Sequence, residues 1–173
     1  MKVAAMSASS STLQWVHCAF DEMTPLQVHD LLRLRQQIFI IEQECIFPEI
    51  DGLDPFCQHV LGLLDGKVVA AARIVAPGID PDHSAQGQHP AIGRVVASPD
   101  LRGQGIGRKL MLQAIASCHD TFAGRGIFLN AQLYLKNFYE ALGFMQFGEA
   151  FYEDGIAHIS MLRSPDSRQD QLH

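Results

Sequence analysis

The sequence predicts an α/β fold of the α+β kind, a mixed sheet with helices on its faces, and three observations lead there. Apolar strand-like stretches alternate with stretches of helical spacing in the order strand, helix, hairpin, strand, helix, strand, helix, hairpin. Asp65-Gly66 sits between two apolar runs, 59–64 and 67–75, and supplies the positive φ of a tight antiparallel turn. The apolar run 92–97 breaks at Ser98-Pro99-Asp100 and passes through a glycine-rich turn straight into a helix. Hairpins beside strand-helix-strand units argue against an all-parallel sheet.

Residues 13–20 read as a first strand with imperfect alternation. Thr24-Pro25-Leu26-Gln27 opens a helix: a threonine cap, proline at the first helical position, and glutamine three residues after the cap. Apolar residues at 28, 31, 32, 34, 38 and 39 give this helix one broad buried face, with an end near Phe39 or Ile41. Residues 42–56 mix acids, prolines and bulky apolar side chains, which suits a structured loop or a short helix. After the hairpin, residues 77–90 lack periodicity and form an exposed connection. The helix after the glycine turn carries a stripe of Ile106, Leu110, Met111, Ala114 and Ile115 and runs to about Cys118. A short strand at 127–129 precedes a helix over 133–142 that stops at Gly143. Residues 144–151 and 158–162, around Glu153-Asp154-Gly155, make a closing hairpin.

At 173 residues, with 47% hydrophobic and 18% charged side chains, the chain suits one domain with a sizeable core. That domain is expected over 13–163, between polar tails at 1–12 and 164–173. A net charge of −6 argues against nucleic acid or an anionic membrane as partner. No segment reaches the roughly twenty apolar residues of a membrane span, and the first residues lack the apolar centre of a secretory signal. Cys18, Cys45, Cys57 and Cys118 are scattered without a C-x-x-C pair and read as free thiols of a reducing, cytoplasmic setting. His and acidic residues show no metal-ligand spacing, so no metal is expected.

The most informative run is Val95-Val96-Ala97-Ser98-Pro99-Asp100-Leu101-Arg102-Gly103-Gln104-Gly105-Ile106-Gly107-Arg108. Its three glycines let backbone N–H groups point outward unobstructed, and the following helix adds the positive end of its dipole. Such a turn suits a phosphate or pyrophosphate, and the guanidiniums of Arg102 and Arg108 suit the same oxygens. No G-K-[ST] closes a P-loop, and Lys109 and Leu110 stand where a dinucleotide fingerprint needs its third glycine. Lys109 reads as a solvated helix residue. Downstream, Asn137-Phe138-Tyr139-Glu140-Ala141-Leu142-Gly143-Phe144 carries a tyrosine one turn before a glycine stop.

With Arg102-x-x-Gly105-x-Gly107 after a Val-Val strand, and Asn137-Phe138-Tyr139 and Gly143-Phe144 downstream, the chain resembles the GNAT superfamily of acetyl-CoA-dependent N-acetyltransferases. Phe39-Ile40-Ile41-Glu42-Gln43, Asp51-Gly52-Leu53-Asp54, Gln58-His59 and Tyr152 to Ile159 look like its ElaA-like branch, and the resemblance spans about 15–163. It implies a twisted, largely antiparallel mixed sheet of about six or seven strands, with helices on both faces. It also implies a splay between two central parallel strands at 92–97 and 127–130. Acetyl-CoA would lie in that splay, with main-chain groups of Val95 and Val96 pairing with the pantetheine arm. Amides of Arg102, Gly103, Gln104, Gly105, Ile106 and Gly107 would hold the pyrophosphate with Arg108 nearby. Asn130 and Asn137 would stand beside the arm.

The implied reaction is direct attack of a neutral amine on the thioester carbonyl, which an amide N–H of the Val95-Val96 strand would polarise. Tyr139 matches the position of the family's general acid, and the competing reading is a core aromatic beside Phe138. Glu42, Glu44, Asp51, Asp54, His59 and His158 stand open as general base, as acceptor-binding groups, or as surface carboxylates and packed histidines. Glu42, His59 and His158 are assigned nearer the chemistry, and Glu44, Asp51 and Asp54 nearer the acceptor. A water chain to a carboxylate is a further option. The acceptor is a small-molecule or peptide amine, and the acidic loop 42–54 is compatible with a polyamine, an aminoglycoside or a protein amine. Oligomeric state stays open, a homodimer being one outcome the resemblance allows. Two rivals compete: a non-catalytic CoA-binding sensor, and an acyl-homoserine lactone synthase, whose front half is echoed by Arg35, Ile38, Phe39, Asp51, Asp54 and Arg73. The synthases lack a strong Arg-x-x-Gly-x-Gly turn. A thiol acyl carrier finds no Cys, His and Asn brought together in the sequence.

Overall fold

Strand β1 (Gln14–Ala19) leads into helix α1 (Pro25–Arg35) in a computed structural model that describes residues 12–80, 87–153 and 155–165. The expected tails, apart from Thr12, Ser164 and Pro165, and residues 81–86 of the connection lie outside the described residues. Thr24 Oγ1 accepts from the Gln27 amide at 3.2 Å, and Gln27 Oε1 accepts from the Thr24 amide at 2.8 Å. This is the reciprocal cap that the sequence motif predicts. The helix then widens into a π-helical stretch, Gln36–Glu42, a geometry often found beside functional sites.

Strands β2 (Gln58–Leu64) and β3 (Lys67–Val75) turn about Asp65 and Gly66, at φ 50 and 77. Strand β4 (Ala91–Ala97), helix α2 (Ile106–Thr121) and strand β5 (Ile127–Gln132) follow. The helix expected over 133–142 is shorter: a 3-10 turn, Leu133–Leu135, precedes helix α3 (Lys136–Glu140). The closing hairpin is also subdivided, into β6 (Phe144–Gln146), β7 (Phe151–Glu153) and β8 (Ile156–Arg163). Because β6 and β7 both pair with β8, the sheet has eight strands, in the order β1-β2-β3-β4-β5-β8-β6 with β7 also on β8.

Among the described residues every strand pairing is antiparallel except β4 with β5. That parallel pair registers only at Ala91 and Phe128. Beyond it the strands part, which opens the splay the resemblance implies. Helices cover both faces. Leu31, Leu34 and Ile38 of the first helical run pack on Leu61, Leu63, Val68, Ala71 and Val96. Ile106, Leu110, Met111, Ala114, Ile115 and Cys118 of α2 pack on Ala70, Ala72, Ile74 and Ile92 of the other face. The small side chains of Ala70, Ala71 and Ala72 let a helix approach β3 closely from each side.

Candidate active site

The splay between β4 and β5 is a cleft of about 500 Å³. Val95 and Ile92 line one wall, Leu129, Asn130 and Gln132 the other, and Tyr139 lies at its α3 side. Residues Gln43, Cys45, Phe47, Asp51 and Leu53 come over it from the loop after the π-helical stretch, and Glu153, Ile156 and His158 from the β7–β8 hairpin. Gln132 Nε2 donates to Gln43 Oε1 at 3.0 Å, tying β5 to that loop.

At the carboxyl end of β4 the chain runs through a 3-10 turn, Pro99–Leu101, into the glycine turn. Gly103 and Gly105 take φ of 76 and 71, a region costly to residues with a Cβ, and Gly105 is the N-cap of α2. No side chain caps that helix and no acid stands in its first turn. Instead Arg108 and Lys109, both exposed, put two cations where the helix dipole disfavours them. An anion at this helix end would relieve both conditions, so the residues present fit the pyrophosphate of CoA. Arg102 is ion-paired with Glu42, which clasps the loop after α1 to the glycine turn.

Of the titratable groups in the cleft, Tyr139 and His158 stand at its α3 side and on its β8 wall. Tyr139 is 7% exposed, packed edge-on against Phe138 and Phe144. Burial, with the neighbouring phenol of Tyr134, pushes its pKa up to about 12 and keeps the phenol protonated. His158 stacks on Phe151, and its Nδ1–H donates to the Ile156 carbonyl at 2.9 Å. A carbonyl can only accept, so in the neutral ring Nε2 carries the lone pair. Nearby, Ser160 Oγ donates to Asn130 Oδ1 at 2.8 Å, which leaves the Asn130 amide nitrogen to donate.

Beneath the loop lies an ionic network of three guanidiniums and three carboxylates. Arg35, 1% exposed, donates from Nε to Glu49 Oε1 at 2.5 Å and from Nη1 to Asp54 Oδ1 at 2.8 Å. Arg73 takes both oxygens of Asp51, at 2.8 and 2.7 Å, and reaches Asp54 Oδ1 at 3.2 Å. Arg94 Nη2 donates to Asp51 Oδ2 at 3.1 Å, and Arg94 Nε lies 3.2 Å from Glu49 Oε1. For Asp51 burial works upward, but the bonds and charge of Arg73 prevail and hold its pKa at about 2. Asp54 is lowered in the same way, by Arg35 and Arg73 against its burial.

The sequence-derived candidates divide on this geometry. Tyr139, His158, Asp51, Val95 and Asn130 meet in the cleft. Val96 belongs to the core under α1, with only its main chain toward the strand edge. Arg102, Gly103, Gln104, Gly105 and Arg108 form an exposed turn, with Ile106 anchored in the core and Gly107 beside Phe138. Asn137 is exposed on α3 and does not line the cleft. Glu44 is exposed at φ 55, and Glu42 is occupied by Arg102. Asp54, 4% exposed, is enclosed in the ionic network away from the cleft. His59, 1% exposed, donates Nε2–H to the Asp54 carbonyl at 3.1 Å, and burial lowers its pKa. It is a packed core histidine, enclosed beside the Phe20 ring. The four cysteines are buried and none is in a disulfide, and burial raises Cys57 to about 11 and Cys118 to about 12, far from a reactive thiolate.

Sequence reasoning passed over Glu49, Arg94, Phe47 and Gln43. Arg94 could have been found as the one charged residue inside the apolar run Ala91–Ala97. Among the described residues no group of three or more His, Cys, Asp or Glu could hold a metal ion, and no helix is long and apolar enough to cross a membrane.

Residues 68–164 match the family described as acetyltransferase (GNAT) domain. A UPF0039 protein of Schizosaccharomyces pombe is 39% identical over 87% of this chain and 97% of its own length. The ElaA protein of Escherichia coli is 35% identical over 87% of this chain and 96% of its own. Among solved structures, an acyl-CoA N-acyltransferase from Pseudomonas aeruginosa superposes with a TM-score of 0.81 at 33% identity, covering 88% of this chain and 100% of that one. Escherichia coli ElaA gives a TM-score of 0.80 at 34% identity, over 88% of this chain and 100% of its own. The acyl-homoserine lactone synthase LasI, at 14% identity and a TM-score of 0.69 over 90% of this chain and 91% of its own, shares the fold alone.

Proposed function

This chain belongs to the GNAT acetyltransferase family, and from that premise we propose that it transfers the acetyl group of acetyl-CoA directly to an amine held in the β4–β5 cleft. One observation carries the reading. A glycine-built, uncapped helix N-terminus follows a strand that parts from its parallel neighbour beside a buried tyrosine and a histidine.

Acetyl-CoA would supply an activated acetyl thioester. The turn from Arg102 to Gly107 would hold the pyrophosphate on backbone N–H groups, and the open edge of β4 at Val95 would align the arm. His158 Nε2 takes a proton from the acceptor ammonium, since only the neutral amine has a lone pair to attack with. A main-chain N–H of β4 faces the developing oxyanion. The amine nitrogen would bond to the carbonyl carbon as the C–S bond breaks, with Tyr139 giving its phenolic proton to the leaving sulfur and regaining one from the attacking nitrogen. The four buried free thiols suit a reducing, cytoplasmic setting.

Acetyl-CoA-dependent thiol release over an amine panel tests this. The expected result is turnover with at least one amine, and Tyr139→Phe lowering kcat about 100-fold with CoA affinity retained. CoA binding without turnover of any amine would support a sensor module instead.

A further inference from the structure

Resting on this reading of the cleft, we propose that the acceptor is a small amine that also carries a carboxylate, and that Arg94 is the residue that recognises it. The argument begins at the backbone. Opposite Ala71 and Arg73 of β3 stand Val96 and Gly93 of β4, so β4 carries one extra residue. Arg94 absorbs that bulge at φ 50, a left-handed conformation that costs a residue with a Cβ about 1 kcal/mol. The bulge brings the side chain into the cleft wall over the Phe47 ring, 5.2 Å from its centroid.

Arg94 is also the one guanidinium of the network that faces the cleft part-exposed, and both carboxylate oxygens it reaches are shared. Asp51 Oδ2 already accepts from Arg73 at 2.7 Å, and Glu49 Oε1 already accepts from Arg35 at 2.5 Å. Arg94 shares both, and among the described residues its buried Nε forms no hydrogen bond. A quarter of the side chain remains exposed, while Arg35 and Arg73 are enclosed. Burial and the like charges of Arg73 and Arg35 strain its cationic form, so a further anion is welcome there. A carboxylate supplies what the guanidinium lacks, two oxygens in a plane. At the same cleft, Glu153 and His158 provide a negative charge and a proton acceptor for the amine end.

The network also changes what the acidic loop says. Glu49, Asp51 and Asp54 are matched by Arg35, Arg73 and Arg94, so those acids present no net negative surface to a polyamine.

The experiment measures thiol release with L-phenylalanine and L-lysine, each beside its own carboxamide. It adds calorimetric titration of the same compounds into CoA-loaded protein. The free acid should be used about thirtyfold better than the amide, mainly through KM, although the amide's amine is the less basic and more readily deprotonated. Arg94→Gln should collapse that ratio to within about threefold, and Arg94→Lys should keep part of it. Equal use of acid and amide by the wild type overturns the assignment and leaves acetyl transfer standing. So does an equal fall for both compounds in Arg94→Gln. Preferential binding of the acids without thiol release keeps the assignment and overturns acetyl transfer. Absence of both binding and turnover overturns the assignment.

Discussion

The two halves of the cleft are built from different materials. On the proposed reading the cofactor half is made of backbone: a glycine turn, an uncapped helix end and the open edge of β4. On the same reading the acceptor half is made of side chains: Arg73, Arg94 and Asp51 line it, and Arg35, Glu49 and Asp54 interlock with them from behind. Backbone amides bind the same anion whatever the neighbouring side chains are, so that half suits the constant partner of the reaction. Side chains can be exchanged one at a time, so the other half suits a partner that differs between relatives. The contrast separates failures of folding from failures of binding.

The largest expected effect comes from opening the ionic network. Asp54→Ala strips the shared carboxylate from Arg35 and Arg73, both enclosed, and should cost about 3–5 kcal/mol in denaturant unfolding. If the loss stays below about 1 kcal/mol, the network is not a structural unit. Acid should expose the same half. Asp51 has its pKa near 2 when folded against 3.8 for an unperturbed aspartate, and Asp54 is lowered too. Their stabilisation is complete above the unfolded value and is lost as pH falls through the folded one. Unfolding midpoints should therefore drop between pH 4 and pH 2, and less so in Asp51→Asn. A smaller effect belongs to the backbone half. Gly105→Ala meets no protein atom within 4 Å of its new Cβ, so only the φ of 71 is strained, and about 1 kcal/mol should be lost. The smallest is at the clasp. Glu42→Gln removes an exposed pair and should change stability by less than about 1 kcal/mol, while Arg102 becomes available and CoA binds slightly tighter. Weaker CoA binding in that variant would mean that Glu42 positions the turn.

This division also decides what could be read from the chain. The glycine turn, the Thr24 cap and the Asp65-Gly66 hairpin are local, each written within a few consecutive residues, and each was legible. The ionic network joins residues from 35 to 94 that meet only once β2, β3 and β4 are paired and β4 is bulged. No spacing rule announces that. His59 and His158 both stand as candidates in the sequence, His158 as a wall of the acceptor pocket and His59 equally as a hydrogen-bonded core residue, because both are histidines in strand-like runs. Their difference lies in what surrounds each ring: His59 is enclosed against the Asp54 carbonyl and Phe20, whereas His158, paired with the last residue of β5, lines the cleft. The break of residues 144–151 into two strands escaped notice for a related reason. Both pieces are held by β8, a partner the local sequence does not display.

The most direct measurement is a calorimetric comparison of CoA with pantetheine, which lacks the pyrophosphate, on wild-type and Gly105→Ala protein. With the anion seated on the backbone of the glycine turn, the wild type should bind CoA at least 100-fold more tightly than pantetheine. Gly105→Ala should weaken CoA binding alone. Equal affinity for the two ligands, or a substitution that weakens both alike, would contradict a backbone-built cofactor half.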